Sequence, residues 1–163
     1  RPVLPVAATA PPGEPVRIDP VTAARAKRLR ERLTLADEDR DLGEALDRWE
    51  LSLFQSDPFA SEQLRGSLSA ALGAGEGLFA ASLRAAALLG ETPRERAEVL
   101  DRLRLLARGD AASATGDLVR RTLVQVLEDG DRAKLVTALD ESLLGLRPKP
   151  AARLEPVSAV GSL

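Results

Sequence analysis

Few side chains in this chain are equipped for chemistry. Histidine, cysteine, methionine and tyrosine are all absent, which removes the imidazole base, thiol nucleophiles, the usual zinc donors and disulfides together. What remains are carboxylates, Lys27, Lys134 and Lys149, and hydroxyls such as Ser113. The acids fall mainly on faces expected to be solvated. No two of them are expected to converge in an apolar cleft that would push their pKa values apart, as acid/base work requires. The expectation is a protein that is not an enzyme, with no catalytic, cofactor-binding or metal-ligating residue.

The glycines of Gly73-Ala74-Gly75-Glu76-Gly77 are the nearest thing to a phosphate-cradling loop. Such a loop needs a preceding strand and a Gly-Lys-Ser/Thr ending, so that backbone N–H groups and a lysine face the phosphates. Neither is present, and Glu76 would oppose an anion. The stretch reads as a turn between two helices.

Basic residues offer a second candidate. Arg25, Arg28 and Arg32 recur at spacings of three and four, which places them on one face of a helix. That stripe has the charge to hold phosphates or an acidic partner, but no aromatic residue is interleaved with it for base stacking. Its plainer readings are a solvated face, or one paired with the acids that follow, Asp37, Glu38, Asp39, Asp41, Glu44, Asp47 and Glu50. The prolines are a third candidate. Pro2/Pro5 and Pro12/Pro15 have PxxP spacing, and Pro148 and Pro150 lie in a similar tail, although Ala/Pro-rich linker produces such spacings too. The candidate partner-binding residues are thus Arg25, Arg28, Arg32, Pro2, Pro5, Pro148 and Pro150.

Prolines and glycines also mark the elements that must carry these residues. Asp19-Pro20, Asp57-Pro58 and Thr92-Pro93 each pair an N-cap residue with proline at the first helical position, where the missing N–H costs nothing. Thr92 adds a capping box with Glu95. Gly90, Gly109, Gly130 and Gly145 each follow a run of helical period and are expected to supply the left-handed residue of a C-terminal cap. Seven helices follow from these marks. The first runs from Asp19 to about Leu33 with Thr22, Ala26, Leu29 and Leu33 on one face, and the second starts after a Thr34 cap completed by Asp37. That second helix buries Leu42, Leu46, Trp49 and Leu53 and ends near Gln55.

The third helix, Pro58 to about Leu72, buries Leu64, Leu68 and Leu72. The fourth, about Glu76 to Leu89, is apolar around most of its circumference, as central helices are. The fifth runs from Pro93 to Arg108 with Val99, Leu100, Leu103, Leu106 and Ala107 inward. The sixth, about Thr115 to Asp129, buries Leu118, Val119, Leu123, Val126 and Leu127, and the seventh, about Asp131 to Leu144, buries Leu135, Val136, Leu139 and Leu143. Short connections predict antiparallel neighbours. Between Leu68 and Leu89 the only charges are Glu76 and Arg84, so this stretch is expected to be the packing hub.

With 163 residues, one domain with a real core is the expectation. Residues 1–18 form an extended Pro/Ala-rich arm, residues 19–145 the helical domain, and residues 146–163 an extended tail. The apolar share is 44% but aromatics make up only 2%, so Leu, Ala and Val must build the core, which suits close helix packing. A formal net charge of −2 argues against a protein whose main business is coating nucleic acid or an anionic membrane. Residues 67–90 are broken by Glu76, Arg84 and glycines, whereas a membrane span needs about 20 apolar residues in a row. A chain that starts at Arg1 and lacks methionine is expected to be a processed product or a segment of something larger. The redox compartment is unreadable without cysteine, and a cytoplasmic setting is the default.

Two local resemblances appear. TPRERAEVLDRLRLLARG, residues 92–109, resembles the opening helix of a LuxR-type helix-turn-helix, which implies DNA binding. The match departs from that family after residue 109, because the next helix arrives too soon and its outward basics are only Arg120 and Arg121, so a capped amphipathic helix explains the likeness. DLVRRTLVQVLEDGDRAKLVTAL, residues 117–139, is similar to one HEAT-type helical hairpin, which implies a stacked array if further units of one period exist. The sequence thus points to an all-α, irregular six- to seven-helix bundle, with HEAT-like stacked hairpins as a variant and Pro-rich tails at both ends. Its expected role is a non-catalytic protein–protein interaction or assembly module, a scaffold or adaptor subunit of a larger bacterial-type complex. Its expected partners are other protein subunits or a second copy, with tails lying on neighbours, and it needs no cofactor. The alternative is a nucleic-acid-associated regulatory domain using the basic face of helix one.

Overall fold

A computed structural model describes residues 19–109 and 112–150; the Leu35, Ala112 and Ser113 side chains are outside that description. Candidates Pro2, Pro5, Pro12 and Pro15, and most of both tails, therefore lie outside the described residues. Within them the fold is an all-α bundle with no strand. The helices are α1 (Pro20–Arg32), α2 (Leu35–Glu38), α3 (Arg40–Ser52), α4 (Phe59–Leu72), α5 (Gly77–Leu89), α6 (Pro93–Arg104), α7 (Ala112–Asp129) and α8 (Arg132–Leu143), with a 3₁₀ turn (Leu105–Arg108) extending α6.

Capping chemistry sets most of these starts. Asp19 accepts from the backbone N–H groups of Val21 and Thr22 ahead of Pro20, and Thr92 with Glu95 forms the full capping box of α6. Two caps differ from expectation. The Thr34 hydroxyl donates backwards to Glu31 O at 2.8 Å, so it closes α1, while Asp39 caps α3 by accepting from Asp41 and Leu42 N–H. The expected second helix is consequently two, the short α2 and then α3. Asp57 sits one residue further from its helix than proposed, accepting from Ser61 N and the Ser61 hydroxyl. Pro58 then holds the cap position.

Gly109, Gly130 and Gly145 have the left-handed φ expected of them, whereas Gly90 is extended, with φ −93° and ψ 130°. What Gly90 provides is room: a Cβ there would lie 2.7 Å from the Arg96 backbone nitrogen. Close approach, rather than handedness, requires glycine at that corner.

The core is built from Leu, Ala and Val. Leu68, Leu72, Ala81, Ala85, Leu103, Leu106, Val119 and Leu139 are wholly buried, and α5 with α4 supplies the centre against which α6, α7 and α8 pack. Three residues expected inside are outside. Leu53 follows the end of α3 and turns to solvent, Leu143 is the last residue of α8, and Ala107 is shifted in phase by the 3₁₀ turn; all are exposed. The antiparallel hairpin expected across Gly73–Gly77 is also different, for α4 and α5 bend by only 70° at their break. Left-handed backbone at Ala74, Gly75 and Gly77 makes that corner. No single described helix is long and apolar enough to cross a membrane.

Candidate interaction surfaces

Arg84 is the one cation in an apolar helix, and its side chain is only 5% exposed. Burying a guanidinium is costly unless its donors are satisfied, and here all its N–H groups have partners. Nε and Nη2 donate to the two Asp140 oxygens at 2.6 and 2.8 Å, a forked pair with α8. Nη2 also donates to Glu76 Oε2 at 2.5 Å, while Nη1 donates to Leu72 O and Gly73 O at 2.9 and 3.1 Å. The last two are carbonyls at the C-terminus of α4, of which Gly73 O also accepts from the Glu76 backbone N–H at 2.8 Å. The hydrogen bond to Asp140 does most to raise the Arg84 pKa above its ordinary value; burial opposes it and Glu76 adds to it. Glu76 is thus spent on orienting Arg84, and the glycine turn is a structural corner. This cluster ties α4, α5 and α8 together and has no donor left for a ligand.

The basic stripe of α1 does not face the acids of α3. Arg25 Nε pairs with Glu128 Oε1 at 2.7 Å, and Arg32 Nη1 donates to the Leu127 and Glu128 carbonyls. Both partners are near the C-terminal end of α7, where cations are favoured by the unpaired carbonyls. Arg28 is half-buried between them in sequence and has no hydrogen bond or ion pair among the described residues. The acids of α2 and α3 find a different cation: Arg132 of α8 pairs with Asp39 at 2.8 Å and Asp41 at 2.6 Å. Burial pushes the Asp39 carboxyl up, but its bonds from Arg132 and the Leu42 N–H outweigh that and hold it below the ordinary 3.8. Periodicity put Arg25, Arg28 and Arg32 on one face; only the tertiary arrangement shows that this face lies against α7.

Pro148 is exposed and Pro150 half-buried. Between them Lys149 reaches back to the α5–α6 corner, donating to Gly90 O at 3.2 Å and pairing with Glu91 at 2.7 Å. Its side chain is only 14% exposed, so the segment leaving α8 is strapped onto the bundle.

Aromatic residues carry the surface feature that sequence reasoning missed. Phe54, Phe59 and Phe79 are all exposed, at 38%, 63% and 63%, and the chain has three phenylalanines in total. Phe54 and Phe59 share the α3–α4 connection with Leu51 and Leu53, which are 36% and 59% exposed. Phe79 is apart from them in sequence, near the start of α5. A signal was available: Leu53 and Phe54 follow the last full turn of α3, next to Asp57-Pro58, where a helical period no longer applies.

Among the described residues no group of acids is placed to hold a metal ion. The chain matches no family model, no curated protein and no solved structure in the comparisons made. The surfaces just described therefore carry the functional reading by themselves.

Proposed function

We propose that this chain is a non-catalytic helical module for protein–protein interaction or assembly, a structural or adaptor component of a larger complex. The observation that carries the reading is the exposed apolar corner of Leu51, Leu53, Phe54 and Phe59. Burying one such side chain is worth about 1.5–3 kcal/mol. Single exposed apolar residues are ordinary, but a cluster on one connection marks an interaction site, and aromatic side chains are the usual anchors of interface cores. Its partner is a protein subunit with an apolar recess, in another chain or a second copy of this one. Within this reading α7 and α8 act as a HEAT-type hairpin at the end of a stack, joined at Gly130 with Asp131 capping α8.

Quantitative capture from a source extract tests this, comparing the natural chain with a Phe54→Ser/Phe59→Ser variant and a Phe79→Ser control. The Phe79→Ser control should keep the natural melting behaviour, since Phe79 is 63% exposed, and the double variant should stay folded with a small loss from the covered part of Phe54. A partner, or self-association in sedimentation, that the double variant loses and the control retains supports the proposal. Identical behaviour of all three proteins contradicts it.

The alternative, a nucleic-acid-associated domain using α1, has less support because Arg25 and Arg32 are turned onto α7. Duplex binding with a steep salt dependence, lost on changing Arg25, Arg28 and Arg32 to Glu, would favour it.

A further inference from the structure

The charges around the phenylalanine corner follow a pattern of their own. Phe54, Asp57 and Phe59 lie exposed between α3 and α4, with Glu50 in the last turn of α3 and Glu62 in the first turn of α4. Leu53 N–H donates to Glu50 O at 3.1 Å, which keeps Glu50 one turn from Leu53 on the same side of the helix end. Glu62 likewise stands one turn after Phe59. Carboxylates thus flank the corner on both sides. The Glu50 and Glu62 side chains make no hydrogen bond or ion pair among the described residues, and Asp57 is bound to the Ser61 N–H and hydroxyl. Asp47 adds a half-buried carboxylate one turn before Glu50.

The two arginines of this region are turned elsewhere. Arg48 pairs with Glu44 at 2.8 Å and lies across Gly66, where an added Cβ would meet its Cδ at 2.6 Å. Gly66 is two turns along α4 from Phe59, about 10 Å of helix. Arg65 is half-buried next to it and, with Arg48, lines the groove that runs along α4 from Glu62 to the start of α5. Moreover, α3 ends without a basic residue in its last turn. Its terminal carbonyls and Glu50 both favour positive charge at this corner, and no described residue supplies it there.

We infer that the corner's partner is a protein surface whose apolar centre is rimmed by lysine and arginine, selected by Glu50, Asp57 and Glu62. The corner's role as an interaction site, proposed above, is the premise; the rim names the chemistry it accepts. An acid at the negative end of a helix is the placement the macrodipole disfavours, and a partner's cation relieves it. The same carboxylates decide against two other occupants. A second copy offering its own corner would set acid against acid, and an anionic bilayer would be repelled. Rim charges are screened by salt and act chiefly on specificity and association rate. Affinity therefore comes from the apolar side chains, and the choice of partner from the carboxylates.

A displayed library of helical hairpins tests this, with apolar centres of Leu, Ile and Phe and rim positions varied among Lys, Gln and Glu. Among binders selected on the natural chain, those that fail on Phe54→Ser/Phe59→Ser should carry Lys-rich rims. They should prefer the natural chain over Glu50→Gln/Glu62→Gln by about tenfold at low salt. Selection on Glu50→Lys/Glu62→Lys should return Glu-rich rims instead. Phenylalanine-dependent binders with no rim bias, or with the same bias on every chain, would overturn the inference and leave the corner an interaction site. A library without any phenylalanine-dependent binder would overturn both. Lys-rich binders indifferent to Phe54 and Phe59 would report only attraction to a chain of net charge −2 and would also overturn it. Neither glutamate side chain has a partner among the described residues, so Gln at both positions leaves the fold intact, which a thermal melt verifies.

Discussion

Helices α1 and α5 are each 13 residues long and are held in opposite ways. No residue of α1 is fully buried, and α1 is attached by half-buried Leu29 and Leu33 together with Arg25 and Arg32 on the end of α7. In α5, six residues from Ala81 to Ala87 are buried, including its only cation. The helix with many charges uses them as outer fastenings. The helix with one charge builds a junction of three helices around it. Charge density in the sequence is therefore a poor guide to where electrostatics matters, because a charge acquires value from the desolvated partners it meets.

The sharpest way to break this comparison is to remove core volume beneath α5 and beneath α1 separately. Leu68→Ala, at a wholly buried position, should cost about 3–4 kcal/mol in denaturant unfolding, whereas Leu29→Ala should cost about 1 kcal/mol. Equal losses would show that α1 is as integral as α5. Arg84→Ala should cost about 2–3 kcal/mol, since it leaves the Leu72 carbonyl and the Asp140 carboxylate without their Arg84 donors and opens a cavity. Arg84→Met should recover part of this by filling the space, and if it recovers nothing, the hydrogen bonds dominate. Ala81 or Ala85 to Leu should each cost about 1–3 kcal/mol by overpacking, and unchanged thermal melts would show that α5 is not central.

Smaller effects belong to the outer pairs. Asp39 has a lowered pKa in the fold, so its contribution is complete above the ordinary 3.8 and is lost as pH falls from there through the folded value. A stability profile measured from pH 6 downward should thus decline below about pH 4, and Arg132→Ala should flatten that limb. A limb unaltered by Arg132→Ala would assign the acid sensitivity to other carboxylates. Arg25→Ala, at a pair whose arginine is 49% exposed, should change stability by less than about 1 kcal/mol, less so in high salt.

Local chemistry made much of this fold legible. Asp19-Pro20 and Thr92-Pro93 identify helix starts because a cap acts within one turn, and the apolar circumference of residues 77–89 identifies the hub because no other environment suits it. Three-dimensional partnerships were not legible. Nothing local to Arg84 indicates Asp140, 56 residues away, and nothing local to Arg32 indicates the carbonyls of α7. Thr34 misled because a hydroxyl can either cap the next helix or bond back to the preceding one, a competition that the neighbouring Asp39 decides. The phenylalanine corner was hidden for the same reason: Leu53 and Phe54 continue an apolar pattern past the point where α3 stops.

Native-state hydrogen exchange tests the contrast between the two helices most directly. Amides of α5 from Ala81 to Ala87 should exchange only through global unfolding, with the same denaturant dependence as the whole chain. Amides of α1 from Ala24 to Leu29 should exchange through a local opening of lower free energy and little denaturant dependence, more readily still in Arg32→Ala. Protection that is equal in the two helices, or lower in α5, would contradict a bundle organised around α5 with α1 fastened to its outside.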